Sequence, residues 1–176
     1  MSFSVIDTGA SSFPRTTGFE PIPTVSGGLE VSTAGAYLLA EFGLAVKAPL
    51  FPSVDNFNSV HLFGTIGVGS NSFENSRIRT LVTQTNTSLI GAPENIIFVA
   101  EETIPGNLFG GILEEKLLSF NTSQGGVNNS IIPGYYRYRL YVVRVGDILP
   151  PGSEPIVRGP VEFQAVSYVR PQQFFI

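Results

Sequence analysis

The stretch Tyr135–Val145, YYRYRLYVVRV, limits the fold more than any other part of the chain. It is dominated by aromatic and branched residues and contains neither Gly nor Pro, so it predicts a long β-strand. Side chains alternate along a strand. Tyr135, Arg137, Arg139, Tyr141, Val143 and Val145 therefore share one face, and Tyr136, Tyr138, Leu140, Val142 and Arg144 share the other. Both faces carry aromatic or branched residues, so neither is purely solvated. On the first face the arginines come first and the aliphatics follow, which predicts that one end runs through a core and the other reaches a polar surface. The ordinary reading is a central strand of a sandwich.

The other segments repeat this logic. Ala36–Ala48 reads as a long strand, closed by Pro49 and Pro52. Val60–Val68 places Val60, Leu62, Gly64, Ile66 and Val68 on one face. Arg77–Thr85 sets Ile78, Thr80 and Val82 against Arg77, Arg79 and Leu81. Ile96–Ala100 and the short Leu29–Ser32 add strands, and Val161–Val169 alternates cleanly. Ile112–Phe120 fits a helix or a strand, and NTSQGGVNNSIIPG after it reads as a loop. About eight to ten strands with almost no helix predict an all-β fold, a jelly-roll-like β-sandwich over residues 29–176.

Residues 1–28 differ. Pro14, Pro21 and Pro23 exclude a helix, yet Phe3, Val5, Phe13, Phe19 and Ile22 punctuate the segment. One reading is a partly ordered terminus with a short edge strand at Phe3–Asp7. The other is an extended arm that docks on a neighbouring subunit. On the second reading, deleting Ser2–Pro23 leaves a folded domain that no longer assembles.

Composition narrows the function. Charged residues make up 14% of 176 residues, against the usual quarter, and net charge is −4. With no basic arm to neutralise phosphates, nucleic acid is not an expected partner. Only Lys47 and Lys116 are lysines, against eight arginines. Lysine is depleted at protein contacts and arginine is tolerated there, so this balance points to a surface that meets other protein. No stretch is apolar enough for membrane insertion, and the start lacks a classical signal peptide. Cysteine is absent.

Catalytic motifs are not evident, so no enzyme activity, cofactor or metal is expected. His61 is the single histidine, and no nucleophile elbow accompanies it. Glu101-Glu102 and Glu114-Glu115 are neighbours along a strand and point to opposite faces, so neither makes a dyad alone. Asp55–Ser59 lacks the spacing of a calcium loop. Arg77 with Arg79, and Arg137 with Arg139, are same-face pairs. On neighbouring strands the four would form a basic patch, used either in cross-strand pairing with Glu41 or Glu162 or in an ion-pair seam between subunits. The latter is the favoured functional reading. Together with Phe174 and Phe175 in the apolar ending RPQQFFI, these arginines and the apolar residues of the arm are the candidate subunit interface.

The run VSTAGAYLLAEFGLAV, an Ala-Gly turn followed by an aromatic and a long apolar strand, resembles the Gly-x-Tyr strand of jelly rolls in the TNF/C1q style. It also resembles bacterial spore-surface proteins of that type, namely endospore appendage subunits and exosporium basal-layer proteins. Appendage subunits carry cross-linking cysteines, which this chain lacks. The resemblance implies an N-terminal connector docking on the adjacent subunit, matching Ser2–Pro23 in character. Viral and phage capsid and decoration proteins show similar patterns.

The expectation is thus a structural subunit that assembles with copies of itself, or with other coat proteins, into a fibre, layer or shell. Its place would be a cell, spore or virion surface. The alternative is a carbohydrate- or receptor-binding jelly roll using loops such as Asp55–Ser59 and Gln124–Asn129.

Overall fold

The computed structural model describes residues 4–13, 20–26, 31–48, 57–70, 72–106, 114–125, 130–147, 149 and 153–169. Its strands are β1 (Ser4–Phe13), β2 (Glu20–Pro21), β3 (Thr24–Val25), β4 (Tyr37–Val46), β5 (Asn58–Ser70), β6 (Ser76–Asn86), β7 (Asn95–Ile104), β8 (Glu114–Gly125), β9 (Gly134–Val145) and β10 (Ile156–Val169). The described residues contain no helix.

Two sheets form, ordered β1-β10-β5-β8 and β4-β9-β6-β7, with short β2 on β10 and β3 running parallel to β9. The eight long strands pair first with last (β1 and β10), second with seventh (β4 and β9), third with sixth (β5 and β8) and fourth with fifth (β6 and β7), each antiparallel. This is one long hairpin, tipped at the β6–β7 turn and rolled on itself: the jelly roll.

Alternation decides which residues are inside. Val60, Leu62, Ile66 and Val68 of β5 face Ile78 and Val82 of β6 and Tyr138, Leu140 and Val142 of β9 across the sandwich. Each fully buried aliphatic or aromatic side chain contributes about 1.5–3 kcal/mol. A file of rings crosses the core: Phe42 lies 4.6 Å from Phe163, Phe163 lies 6.2 Å from Phe120, and Phe120 stacks at 4.9 Å on Phe98. Two glycines make room for it. A Cβ on Gly9 would strike the Phe42 ring, and one on Gly64 would strike Phe120. The one phenol buried deep among these rings is satisfied. Gln84 Nε2 donates to Tyr138 Oη at 3.0 Å, that hydroxyl donates to Gln124 Oε1 at 3.4 Å, and Gln124 Nε2 donates to Gln84 Oε1 at 3.2 Å. Burial holds the Tyr138 phenol far above its ordinary pKa.

Several segments differ from the sequence expectation. Within Ile112–Phe120, the described residues from Glu114 on are strand, and β8 continues to Gly125 through residues read as loop. Leu118 and Phe120 turn inward with period two against Ile66 and Gly64, and pairing with Ser59–Phe63 carries the polar Asn121–Gly125 along as an edge. Leu29 and Glu30 lie outside the described residues, while Val31 and Ser32 are not in a strand; Thr24–Val25 takes the place beside β9 instead.

The short edge strand expected at Phe3–Asp7 is a ten-residue strand, Ser4–Phe13, and it pairs with β10 of its own chain along its length. It is keyed to the body twice. Asp7 Oδ2 accepts from the Ala45 amide at 2.7 Å, capping the free edge of β4, and Gly9 lets β1 lie against Phe42. Ile22 sits in the core with 0% exposure, its amide donating to Pro155 O at 2.7 Å. Residues 4–13 and 20–25 thus belong to the fold. Deleting Ser2–Pro23 would strip an edge strand and a core side chain, so it is expected to destabilise the body as well.

Candidate functional site

The two sheets differ most on their outer faces. On the β4-β9-β6-β7 sheet the register aligns Leu38 with Tyr141, Tyr141 with Leu81, and Leu81 with Val99. Four apolar side chains therefore cross the sheet in one row. The two central members, Leu81 and Tyr141, are buried, and the ends, Leu38 and Val99, are 42% and 40% exposed. Val143 and Val145 of β9 continue the apolar surface along the strand, both buried outside the main core.

Ion pairs frame this row. On one side Arg79 Nη2 lies 2.5 Å from Glu101 Oε1, and Arg77 lies 3.5 Å from the same carboxylate. On the other, Arg139 Nε donates to Glu41 Oε2 at 2.5 Å and Nη1 donates to Glu94 Oε2 at 3.1 Å. Arg137 stands 4.0 Å from Glu41. Glu94 is the hub: Thr83 donates to it at 2.5 Å and Tyr141 at 3.0 Å. Partial burial alone would raise the Glu94 carboxyl. The hydrogen bonds from Thr83 and Tyr141 and the Arg139 charge outweigh it and hold the group below the ordinary carboxylate range. The same contacts act oppositely on their partners. Burial and then Glu94 push the Tyr141 phenol up, and the Glu41 hydrogen bond raises Arg139 further.

The four predicted arginines do share this face on adjacent strands. They do not form one patch. Arg79 is opposite Val143 and Arg139 is opposite Thr83, four positions apart on β6, which is roughly 13 Å at 3.3 Å per residue. The Leu81–Tyr141 row separates the pairs, and each has its own carboxylate within the chain: Glu101 for one, Glu41 for the other. Cross-strand pairing with Glu41 is thus observed.

Of the remaining candidate interface residues, Val5 is exposed and Ile22 is buried in the core. Phe3, Phe19, Phe174 and Phe175, and the side chain of Phe13, lie outside the described residues. Glu94, Tyr141, Leu38, Leu81 and Val99 were not singled out from sequence. Tyr141 and Leu81 were visible as outward positions of their strands, but Glu94 sat in a segment, GAPEN, that reads only as a turn.

The opposite outer face, on the β1-β10-β5-β8 sheet, is of another kind. Thr65, Ser119, Asn121, Ser123, Gln164 and Thr8 line it, all outward by register. His61 lies here, its ring edge-on to Tyr168 at 5.1 Å. The Glu101-Glu102 doublet is divided as alternation requires. Glu101 takes Arg79 while Glu102 takes Lys116 at 2.7 Å across the sheets, and Glu115 takes Arg158 at 2.7 Å. Among the described residues, no three His, Cys, Asp or Glu side chains converge as a metal would need.

At one end of the β1/β4 side lies an open groove of about 450 Å³. Phe42, Leu44 and Tyr136 form its apolar floor, and Asp7, Glu41 and Arg137 line it as polar groups. Tyr135, 68% exposed, stands at its rim. Compared with models of protein families and with curated proteins, the chain matches none.

Proposed function

We propose that the protein is a non-enzymatic structural subunit that assembles with copies of itself into a fibre, layer or shell. The observation that carries this reading is the outer face of the β4-β9-β6-β7 sheet: an apolar row with exposed ends, framed by arginine–carboxylate pairs. Charge-poor apolar centres with arginine at the margin are the composition of protein–protein contacts. The shortage of lysine across the chain points the same way.

The N-terminal strand supplies the docking element of this assembly. β1 lies at a sheet edge, and its contacts, the β10 ladder, the Asp7 cap on Ala45 and the Gly9 seat under Phe42, can be made equally by β1 of a neighbour. Exchange of an identical element between copies needs no new surface.

Because the chain has no cysteine, this can be tested cleanly. Thr8 and Val166 are register partners on β1 and β10. The Thr8→Cys/Val166→Cys variant, oxidised after assembly and run on a denaturing gel, is expected to give a covalent ladder. Electron microscopy of the same sample is expected to show filaments, rings or sheets. Oxidised monomer alone would remove the exchange, and dispersed single particles would remove the assembly.

The groove favours a second reading, a carbohydrate-binding module. An exposed tyrosine beside carboxylates and a guanidinium suits the apolar face and the hydroxyls of a pyranose. A glycan array without hits, repeated with Tyr135→Ala as control, would discard it.

A further inference from the structure

We propose that Arg144 and Ser76 form an enclosed binding site for one small inorganic anion, at the end of the core beneath the 146–147 turn. Six arginines lie among the described residues, and five of them stand within 4.0 Å of a carboxylate. Arg144 is the exception, and it is the most buried of the six, 4% exposed. Its Nη1 donates to the carbonyl of Asp147 and, at 3.5 Å, to Thr24 Oγ1, both neutral oxygens. Its Nε is buried with no hydrogen-bond partner.

Two carboxylates of this end are paired elsewhere. Glu102 is held by Lys116 and Glu101 by Arg79, while Asp147 offers Arg144 its main-chain oxygen. Among the described residues no carboxylate stands within 4.0 Å of this buried guanidinium, and a positive charge withdrawn from water without a counter-charge is among the costliest arrangements in a protein interior.

A second orphan lies beside it. Ser76 is fully buried, and its Oγ has no partner. Ile78 pairs with Arg144 and Arg77 with Val145, so Ser76 falls next to Gly146 on the inward face that Arg144 also occupies. The guanidinium leans the same way: its Nη2 would be 3.7 Å from a Cβ placed on Gly146. An unpartnered donor N–H and a hydroxyl free to donate thus lie on the same inward face at one end of β6 and β9, with the guanidinium reaching over Gly146. Donors without acceptors around an uncompensated cation describe an anion site, and a guanidinium is suited to halides and oxyanions alike.

The test is thermal unfolding of the full chain at constant ionic strength, with sodium gluconate replaced stepwise by sodium chloride or, in a second arm, sodium phosphate. Gluconate is too large for an enclosed site. A bound anion is expected to raise Tm by several degrees along a saturating curve. The arm that saturates at the lower concentration identifies halide or oxyanion. Ser76→Ala is expected to weaken the apparent affinity at least threefold, and Arg144→Met to abolish the saturating rise. A Tm that is flat, or that drifts linearly and equally in wild type and Ser76→Ala, would overturn the proposal. That comparison decides the matter even if Arg144→Met fails to fold.

Discussion

The two outer faces of this sandwich belong to one chain and the same β geometry, yet they meet their surroundings differently. On the β1-β10-β5-β8 sheet the short polar residues Thr65, Ser119, Asn121 and Ser123 stand outward, interspersed with single larger ones, Phe63, Leu117 and Glu162. On the β4-β9-β6-β7 sheet the outward positions are long. Arg79, Arg139 and Tyr141 stand outward there beside Leu81, Thr83 and Val143, all three of which are buried. Long amphipathic side chains can bury apolar neighbours beneath them without a further layer of chain. A face built this way has already lost much of its water, so further contact on it costs less desolvation than on the other.

The sharpest way to break the contrast is to remove one ring from each face. Tyr141→Ala deletes a buried ring and frees Glu94, and it is expected to cost about 3 kcal/mol in urea unfolding. Phe63→Ala, outward on the other sheet and 38% exposed, is expected to cost under about 1 kcal/mol. Equal losses would mean that the second face is no more buried in solution than the first.

A smaller difference is expected between ion pairs. In double-mutant cycles Arg79–Glu101, whose arginine side chain is 7% exposed, should couple by about 1.5 kcal/mol, as charge-assisted hydrogen bonds do. Arg158–Glu115 links β10 to β8 with a glutamate 54% exposed, and it should couple by about 0.5 kcal/mol or less.

The smallest effect concerns pH. Glu94 has its carboxyl lowered from the ordinary 4.5 in the folded state. The stability it contributes is therefore complete above that value and is lost as pH falls through the lowered one. Glu94→Gln should flatten the acid limb of a stability–pH curve below about 4.5 while leaving its shape near neutrality unchanged. An unchanged acid limb would show that Glu94 gains nothing from Thr83, Tyr141 and Arg139.

Much of the fold was legible from single strands. Alternation in Val60–Val68, Arg77–Thr85 and Tyr135–Val145 sorted the residues into two faces, because burial on one face writes a period of two into the sequence, but which face of the last two strands turns inward was set by packing. The extension of β8 through Asn121–Gly125 was not legible. Those residues carry no apolar alternation and are strand only because Ser59–Phe63 lies beside them. The arginine clusters were visible as pairs, but their separation was not, since register between distant strands is fixed by packing rather than by local residue type. Glu94 could not be found for the same reason: its partners are 11 and 47 positions away in sequence.

The rolled hairpin also sets an order of events during synthesis. β1 finds its ladder only on β10, and β4 only on β9, so the earliest strands to leave the ribosome wait for the latest. Through that interval β1 is an unpaired edge seeking a strand of fixed register, and a finished neighbour whose own β1 has frayed presents one. If copies exchange strands as proposed, crowding of nascent chains would decide how often a strand closes its own sheet and how often it closes another's. The choice would be kinetic, made once and held by the slow unfolding of a β-sandwich rather than by any difference in contact energy.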